Sequence, residues 1–508
     1  MTKLPPGKVP WRLISDHVSA ELPPGVLLGP AHGEDAALVR VGGEIWAVSS
    51  DPITFTSQEA GRLAVIVNAN DVAVRGAVPL YFTAVLLVAP EEADSTRIGE
   101  LLDQVRSACA ELGIALIGGH TEVTPDLEHT LVAGTMLGKV TGRPLTTGGL
   151  RPGDAVGMTR SAGLEGTAIL ASKFAPLFGE RPVESSLCVV KEALASAASA
   201  HVTALHDVTE GGVGEALHEM ACAAKLTIDV EASAIPVLEE TRGICEQLGM
   251  NPLGLIGSGS LLVGCGEAGR SEVEERLASL GVPFTWIGRA VAGEPRSTVA
   301  RFERDEILKA WLLAGVQAVV FDMDGTLIDA DYDWRAIKTQ LGIHGRSIID
   351  ALNGFPEPER GAKWETLRQI ERKATLEARV REGAADLLTL LRSHGLKTAL
   401  VTNNSEDNVQ YLLEKFGLAF DVVLSRDSGL YKPSGAPVAE AVRRLGVSPA
   451  RTLCVGDSRY DVLAAREAGC AWVCILYDAE KRFSPEADID FPDIAAFRRY
   501  LGITLRWE

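Results

Sequence analysis

Apolar and polar positions alternate along the chain in two rhythms. Runs rich in β-branched and aliphatic residues predict strands at 36–41, 45–49, 80–88, 115–117 and 130–139, and apolar positions three and four apart predict helices at 61–74 and 97–112. Further on, short apolar runs at 318–321, 398–402, 422–425 and 452–455 predict another set of strands. Strands and helices mixed throughout imply α/β layers. The stretch 146–154, TTGGLRPGD, gathers turn formers between two periodic regions and predicts a domain boundary. Residues 301–313, RFERDEILKAWLL, hold no Gly or Pro and predict a helix, either a connector or the last element of the domain before it. Three domains follow, at 1–148, 149–310 and 314–508.

The chain is long enough for that: 508 residues, 46% hydrophobic and 23% charged, an ordinary globular balance. A formal net charge of −19 argues against partners that present phosphate backbones or anionic membranes, so neither nucleic acid nor membrane is expected. Such a surface still accepts an anionic substrate where Mg²⁺, Lys or backbone N–H groups reverse the local sign. Eight cysteines form no CxxC pair and sit mostly in apolar surroundings, which predicts core thiols in a reducing compartment. No run resembles a signal peptide or approaches the roughly 20 apolar residues of a membrane span, and the expected location is the cytoplasm.

Chemistry is densest in the C-terminal third. The run 318–321 ends in Asp322-Met323-Asp324-Gly325-Thr326, which places two acids at the carboxyl end of a strand, where open parallel sheets hold their sites. Gly325 permits the turn that lets both acids face one pocket. Three more strand ends follow: one in Thr402, one leading to Lys432, and one leading into Gly456-Asp457-Ser458-Arg459-Tyr460-Asp461. Acids, a hydroxyl and an amine are what phosphoryl transfer requires. A carboxylate attacks phosphorus, fixed positive charge offsets the equatorial oxygens, and a second acid protonates the leaving oxygen and then deprotonates water.

The ordered set DMDGT, VTNN, YKP and GDSRYD resembles the four motifs of the haloacid dehalogenase superfamily over residues 316–505. The resemblance implies a Rossmann-like domain with Asp322 as nucleophile, Asp324 as general acid and base, and Thr402 and Lys432 as phosphoryl clamps. It also implies Mg²⁺ held by Asp322, the backbone carbonyl of Asp324, and Asp457, with Asp461 in support. Asp324 and the paired acids favour a phosphatase over a dehalogenase; a phosphomutase uses the same residue types. Between the first two motifs, 331–382 is largely helical sequence, with Trp364, Leu367, Ile370 and Ala374 on one apolar face. An insertion there resembles the helical cap of phosphoglycolate-phosphatase-like members, implying a small phosphorylated metabolite as substrate, with Trp334, Arg335 and Lys338 available to select it.

The first two thirds contain no Walker A sequence. Acids stand at or beside strand ends instead: Asp35 in HGEDAA, Asp51 in VSSDPITF and Asp71 in VNANDVAVRGA. Glycine pairs occur in IGGHTEV and in HDVTEGGVGEA after Asp207. Scattered carboxylates can hold Mg²⁺ against nucleotide phosphates, and glycines let backbone N–H groups approach. Over residues 1–310 this order resembles the aminoimidazole ribonucleotide synthetase superfamily, in particular its hydrogenase-maturation dehydratase branch. That implies a two-domain ATP-binding fold of α+β type, dimerising through its N-terminal strands. Asp35, Asp51, Asn70, Asp71, Gly118, Gly119, Glu122 and Asp207 become ATP and metal residues. The cysteine tail of that branch has no counterpart after Arg301, and no Cys precedes Cys109, which disfavours selenium chemistry. The implied whole is a bifunctional fusion of an ATP-using unit and a phosphatase. Its rival is an active phosphatase carrying a nucleotide-sensing or dimerisation module.

Overall fold

A computed structural model describes every residue except 1–6, 19–20, 57–58, 179–186, 312–314, 331, 344–346, 477–486 and 506–508. The chain divides into two compact units, Met1–Glu246 with Met250–Leu308 and Gln247–Gly249 with Lys309–Glu508.

The first unit holds two sheets. In one, strands run in the spatial order Val26–Leu28, Ala37–Val41, Glu44–Ser49, Leu131–Val140, Ala77–Val88 and Ala115–Val123, and Pro52–Ile53 also pairs with Leu131–Val140. The helix Ala60–Ala73 packs on this sheet with all but one of its residues buried. It has no polar face because the sheet and the helix Ser95–Leu112 enclose it, so the apolar periodicity expected of a surface helix is missing. The second sheet runs in the order Arg296–Ser297, Thr227–Val230, Phe284–Val291, Ala155–Thr159, Leu261–Cys265 and Val202–Asp207.

The turn-rich segment at 146–154 lies between the last strand of the first sheet and the first strand of the second. Glu34 holds it there, accepting hydrogen bonds from the backbone N–H groups of Thr147 and Gly148 at 3.0 and 3.1 Å. Gly149 is needed for the fit, because a Cβ at that position would lie 2.2 Å from the carbonyl oxygen of Thr203.

The second unit centres on six parallel strands in the order Val422–Leu424, Lys397–Val401, Ala318–Phe321, Thr452–Gly456, Trp472–Leu476 and Ile489–Phe491. An insertion after Ile328–Asp329 forms three helices, Trp334–Leu341, Ile348–Asn353 and Glu359–Glu377. Ile337, Leu341, Ile343, Leu352 and Leu367 give it a core of its own. Asp331, where the insertion was expected to begin, lies outside the described residues.

Two sequence expectations need correction. The strand expected at 115–117 continues to Val123, because parallel pairing with Ala77–Val88 carries it through both glycines. The segment 301–313 is not an α-helix: described residues form only a 3₁₀ turn, Glu306–Trp311, while 312–314 lie outside the description. Tertiary bonds override the helical composition here. The Arg301 guanidinium binds Glu215, and the buried Asp305 carboxylate accepts from the N–H groups of Gly211, Ile256 and Ile307. Asp305→Ala would orphan those three donors and is expected to lower stability by about 3 kcal/mol, read as a shift in denaturant midpoint. An unchanged midpoint would remove Asp305 as the anchor of this segment.

Candidate functional site

Sheet register assembles the site of the second unit. Phe321 stands opposite Leu400 on one side and Val455 on the other, so Asp322, Thr402 and Asp457 emerge from neighbouring strands at one end of the sheet. Gly325 takes a φ of +85°, and a Cβ there would lie 2.2 Å from an oxygen of Asp457. Only glycine lets the loop after the first strand close onto that acid.

The charges converge. Lys432 Nζ lies 2.5 Å from Asp322 and 2.5 Å from Asp461. Carboxylate oxygens of Asp322, Asp457 and Asp461 lie within 4.8 Å of one another. Asp461 is further committed to the helix Arg459–Glu467, closing a capping box with Ser458. Burial pushes Asp322 up to about 6, Asp324 to about 7 and Asp457 to about 8, with neighbouring carboxylates adding to the rise and Lys432 opposing it. Burial lowers the Lys432 ammonium, but Asp322 and Asp461 outweigh that and leave it well above its usual range. One lysine faces three acids, an excess that a divalent cation would offset. The donors fit Mg²⁺: they are hard oxygens, and Asp457 is not consumed by the lysine. Asp322 and Asp457 would hold the ion, with Asp461 fixing Lys432.

Asp324 is positioned by residues that the sequence motifs named only in part. Its Oδ2 accepts from Asn404 Nδ2 at 3.1 Å and from the Thr402 hydroxyl at 3.5 Å, while its buried Oδ1 has no protein partner. Asn404 cannot be flipped without loss, since its Oδ1 accepts from Ser405 N at 2.8 Å and Asn408 Nδ2 at 2.9 Å. The same Nδ2 also donates to the Tyr332 hydroxyl at 3.1 Å. Asn403 brackets the Lys432 backbone, donating to its carbonyl at 2.9 Å and accepting from its N–H at 2.8 Å. Both asparagines were visible in VTNN, but a motif read for its hydroxyl gives no reason to single them out.

A cavity of about 500 Å³ opens from these groups toward the helical insertion. The pattern shared by the haloacid dehalogenase-like hydrolases matches residues 316–469, and a phosphoglycolate phosphatase from Chromobacterium violaceum is 32% identical over 213 residues, 36% of this chain and 95% of that one. The C-terminal part of this chain belongs to the haloacid dehalogenase-like hydrolases. It is the hydrolase half of a fusion. The AIR synthase related patterns match residues 33–140, for the N-terminal domain, and 151–300, for the C-terminal domain. A carbamoyl dehydratase HypE from Rhodobacter capsulatus is 29% identical over 301 residues, 56% of this chain and 87% of that one. The crystal structure of Escherichia coli HypE aligns with a TM-score of 0.46 and 26% identity, over 51% of this chain and 86% of that one.

In this AIR synthase related pair, acids from both sheets gather at one place. Asp35 accepts from Arg75 at 3.2 Å and bonds His206 Nδ1 at 2.9 Å; the other ring nitrogen of His206 meets Glu219 at 3.2 Å. Burial lowers the His206 pKa, yet the two acids outweigh it and raise it to about 10, so the ring is charged at neutral pH. Burial raises Asp35, and that cation with Arg75 more than compensates, holding the carboxyl below its usual range. The neighbouring acids lack such partners. Burial and like charge push Asp51 to about 6, Asp207 to about 7, and Asp71 well above its usual range. Both oxygens of Asp207 and Oδ1 of Asp71 are buried with no protein hydrogen bond. Orphaned hard oxygens on facing elements are what a bound divalent cation would satisfy.

Other expected residues go elsewhere. Asn70 binds the Leu187 carbonyl at 3.0 Å and the Val189 N–H at 2.8 Å, a link between chain segments. Asn68 takes the place beside the acids: its Oδ1 accepts from the Asp51 N–H at 2.9 Å. Gly118, Gly119 and Glu122 lie on the outer edge strand, three strand spacings, roughly 14 Å, from the strand that follows Asp51. Strand pairing by itself requires Gly119, since a Cβ would lie 2.0 Å from the Ala84 carbonyl oxygen. Glu122 meets His120 at 3.1 Å on an exposed surface. Arg75, His206, Glu34 and Glu219 were missed; Arg75, His206 and Glu34 stood inside the quoted strings VNANDVAVRGA, HDVTEGGVGEA and HGEDAA.

If Asp207 is an uncompensated buried acid, removing its charge stabilises the metal-free protein. With a chelator present, Asp207→Asn is expected to gain about 1 to 3 kcal/mol and to melt several degrees higher. A lower melting temperature would mean that the carboxylate has a partner within the protein.

Proposed function

We propose that the C-terminal unit is a phosphatase acting on small phosphate monoesters through an aspartyl-phosphate on Asp322. The carrying observation is the convergence of Asp322, the partnerless Oδ1 of Asp324, Lys432 and Asp457 on one cavity. An Asp322 oxygen attacks phosphorus as the bond to the ester oxygen breaks, and Asp324 delivers its proton to that leaving oxygen. Water then attacks the phosphoryl group, Asp324 takes the water proton, and the bond to Asp322 breaks to release phosphate. Lys432 offsets charge on the phosphoryl oxygens, and Thr402 orients Asp324. Mg²⁺, when bound, would add Lewis-acid stabilisation of the same charge. The name of the C. violaceum relative supports a phosphoryl substrate.

For the AIR synthase related pair we infer Mg²⁺-dependent ATP binding at Asp51, Asp71 and Asp207, with Asp35 fixed beside them by His206 and Arg75. The orphaned oxygens support this reading. Covalent linkage would then raise the effective concentration of anything passed between two activities. Eight free cysteines, five of which lie in buried apolar clusters or strands, fit a reducing compartment, and among the described residues no helix is long and apolar enough to cross a membrane.

The edge strand Ala115–Val123 supports a homodimer. All its residues are exposed, with Ile117 at 58% and Val123 at 52%, and Tyr81 and Val85 on the neighbouring strand add to an open apolar face. A long unpaired edge of this kind is ordinarily covered.

Asp322→Asn is expected to abolish phosphate release and the acid-stable transfer of label to protein, while ATP binding persists. Retained phosphate release would remove Asp322 as nucleophile, and loss of both activities would argue against separate sites. Ile117→Arg is expected to halve the mass found by light scattering; an unchanged mass would place any subunit contact elsewhere.

A further inference from the structure

The lining that the helical insertion gives the hydrolase cavity carries a chemical signature of its own. Tyr332 and Trp334 stack with centroids 4.6 Å apart, and Ile348, Ile349 and Leu367 line the same space. The two cations deepest in the cavity are already bound. Lys432 is held by Asp322 and Asp461, and Arg426 is paired through both nitrogens with Glu371 at 2.5 and 2.6 Å, each side chain about 5% exposed. Arg426 also packs over the Trp364 ring at 5.2 Å. At this wall a charged leaving group such as a carboxylate would have to break that buried pair or lie beside the Glu371 carboxylate; Lys338 and Arg459 also line the cavity, but on its more exposed lining. An apolar or aromatic group meets no such conflict, and a cavity of about 500 Å³ has room for one beyond the phosphoryl group.

We infer that the preferred substrates of the hydrolase unit are phosphate monoesters of uncharged, apolar or aromatic alcohols, selected by the Tyr332–Trp334 stack with Leu367, and that Glu371 excludes anionic leaving groups by neutralising Arg426. This deepens the phosphatase reading and rests on it. Asp322, Asp324 and Lys432 lie at the sheet and the selecting residues on the insertion, and the two meet where Asn404 Nδ2 donates to both Asp324 and the Tyr332 hydroxyl.

The test compares 2-phenylethyl phosphate with 2-phosphoglycolate, two esters of primary alcohols, on the full chain with Mg²⁺. The ratio of their kcat/KM values does not depend on how much of a variant folds. The phenylethyl ester is expected to be favoured at least tenfold, mainly in KM. Trp334→Ala is expected to lower that ratio several-fold, and Glu371→Gln, which frees Arg426, to swing it toward phosphoglycolate by tenfold or more. A preference of the unaltered protein for phosphoglycolate, or a ratio unmoved by Glu371→Gln, would overturn the inference and leave the phosphatase reading standing. Absence of phosphate release from both esters would overturn the two together.

Discussion

Buried negative charge in excess of the cations that face it is the constraint on which both sites depend. Each acid at the carboxyl ends of the parallel strands gives up hydration, and Lys432 restores only part of what three of them lose. A fold tolerates such a cluster only where the backbone leaves little alternative. Here the alternative is removed by register: Asp322 continues a central strand paired on both sides, and its own N–H is tied to the Val455 carbonyl at 2.9 Å. The stability of the sheet therefore holds together charges that would otherwise separate. An incoming phosphoryl group and a cation meet an environment already organised for them, which is the condition under which electrostatic catalysis is strongest.

The two units meet the same difficulty with different cations. In the AIR synthase related pair, Asp35 is neutralised from within by Arg75 and by a His206 charged through its two acidic neighbours. Asp51, Asp71 and Asp207 are left without an equivalent. In the hydrolase unit the shared lysine is split between Asp322 and Asp461, and Asp457 is left over. In the first case one acid is locked by protein cations, in the second two share a single lysine, and the others stay available, so the held acids serve as a fixed reference around which exchangeable charge can come and go.

Legibility in the sequence followed the distance over which each feature is assembled. The hydrolase site was readable because most of its groups lie within a few residues of a strand end, Lys432 at eight residues being the farthest, and the strands announce themselves as apolar runs. Asn403 and Asn404 sit in the same motif, but their work is long-range, to Lys432 and to Asp324 and Tyr332, and nothing local marks it. In the N-terminal domains the distinction between Asn68 and Asn70 is a matter of helix phase: two residues apart on Ala60–Ala73, they point about 200° apart, one to Asp51 and one to Leu187 and Val189. A helix buried all round offers no polar face by which to fix that phase. The glycine pair Gly118 and Gly119 looked like a phosphate cradle and is, in the case of Gly119, a requirement of strand pairing. The segment after Arg301 had helical composition, yet Asp305 gains more from three buried N–H donors than from a helical turn.

The buried Arg426–Glu371 pair shows why charge in a cavity should be counted after pairing. A lining with Arg426 and Lys432 reads as basic, and a basic lining suggests a dianionic substrate with a second charge. Bidentate pairing leaves Arg426 with little field at the cavity centre, since the guanidinium and carboxylate form a short dipole whose potential falls faster than that of a lone charge. Burial pushes Glu371 upward, but the Arg426 bonds oppose this, and protonating Glu371 would leave a desolvated guanidinium alone. The pair therefore persists as a unit, stiffens the junction between the helix Glu359–Glu377 and the loop after Val422–Leu424, and keeps the surface above it neutral. Beside the pair, what attracts a leaving group is the apolar area of Leu367, Ile348 and Ile349 and the faces of Tyr332 and Trp334, with Lys338 and Arg459 as the more exposed cations of the same lining.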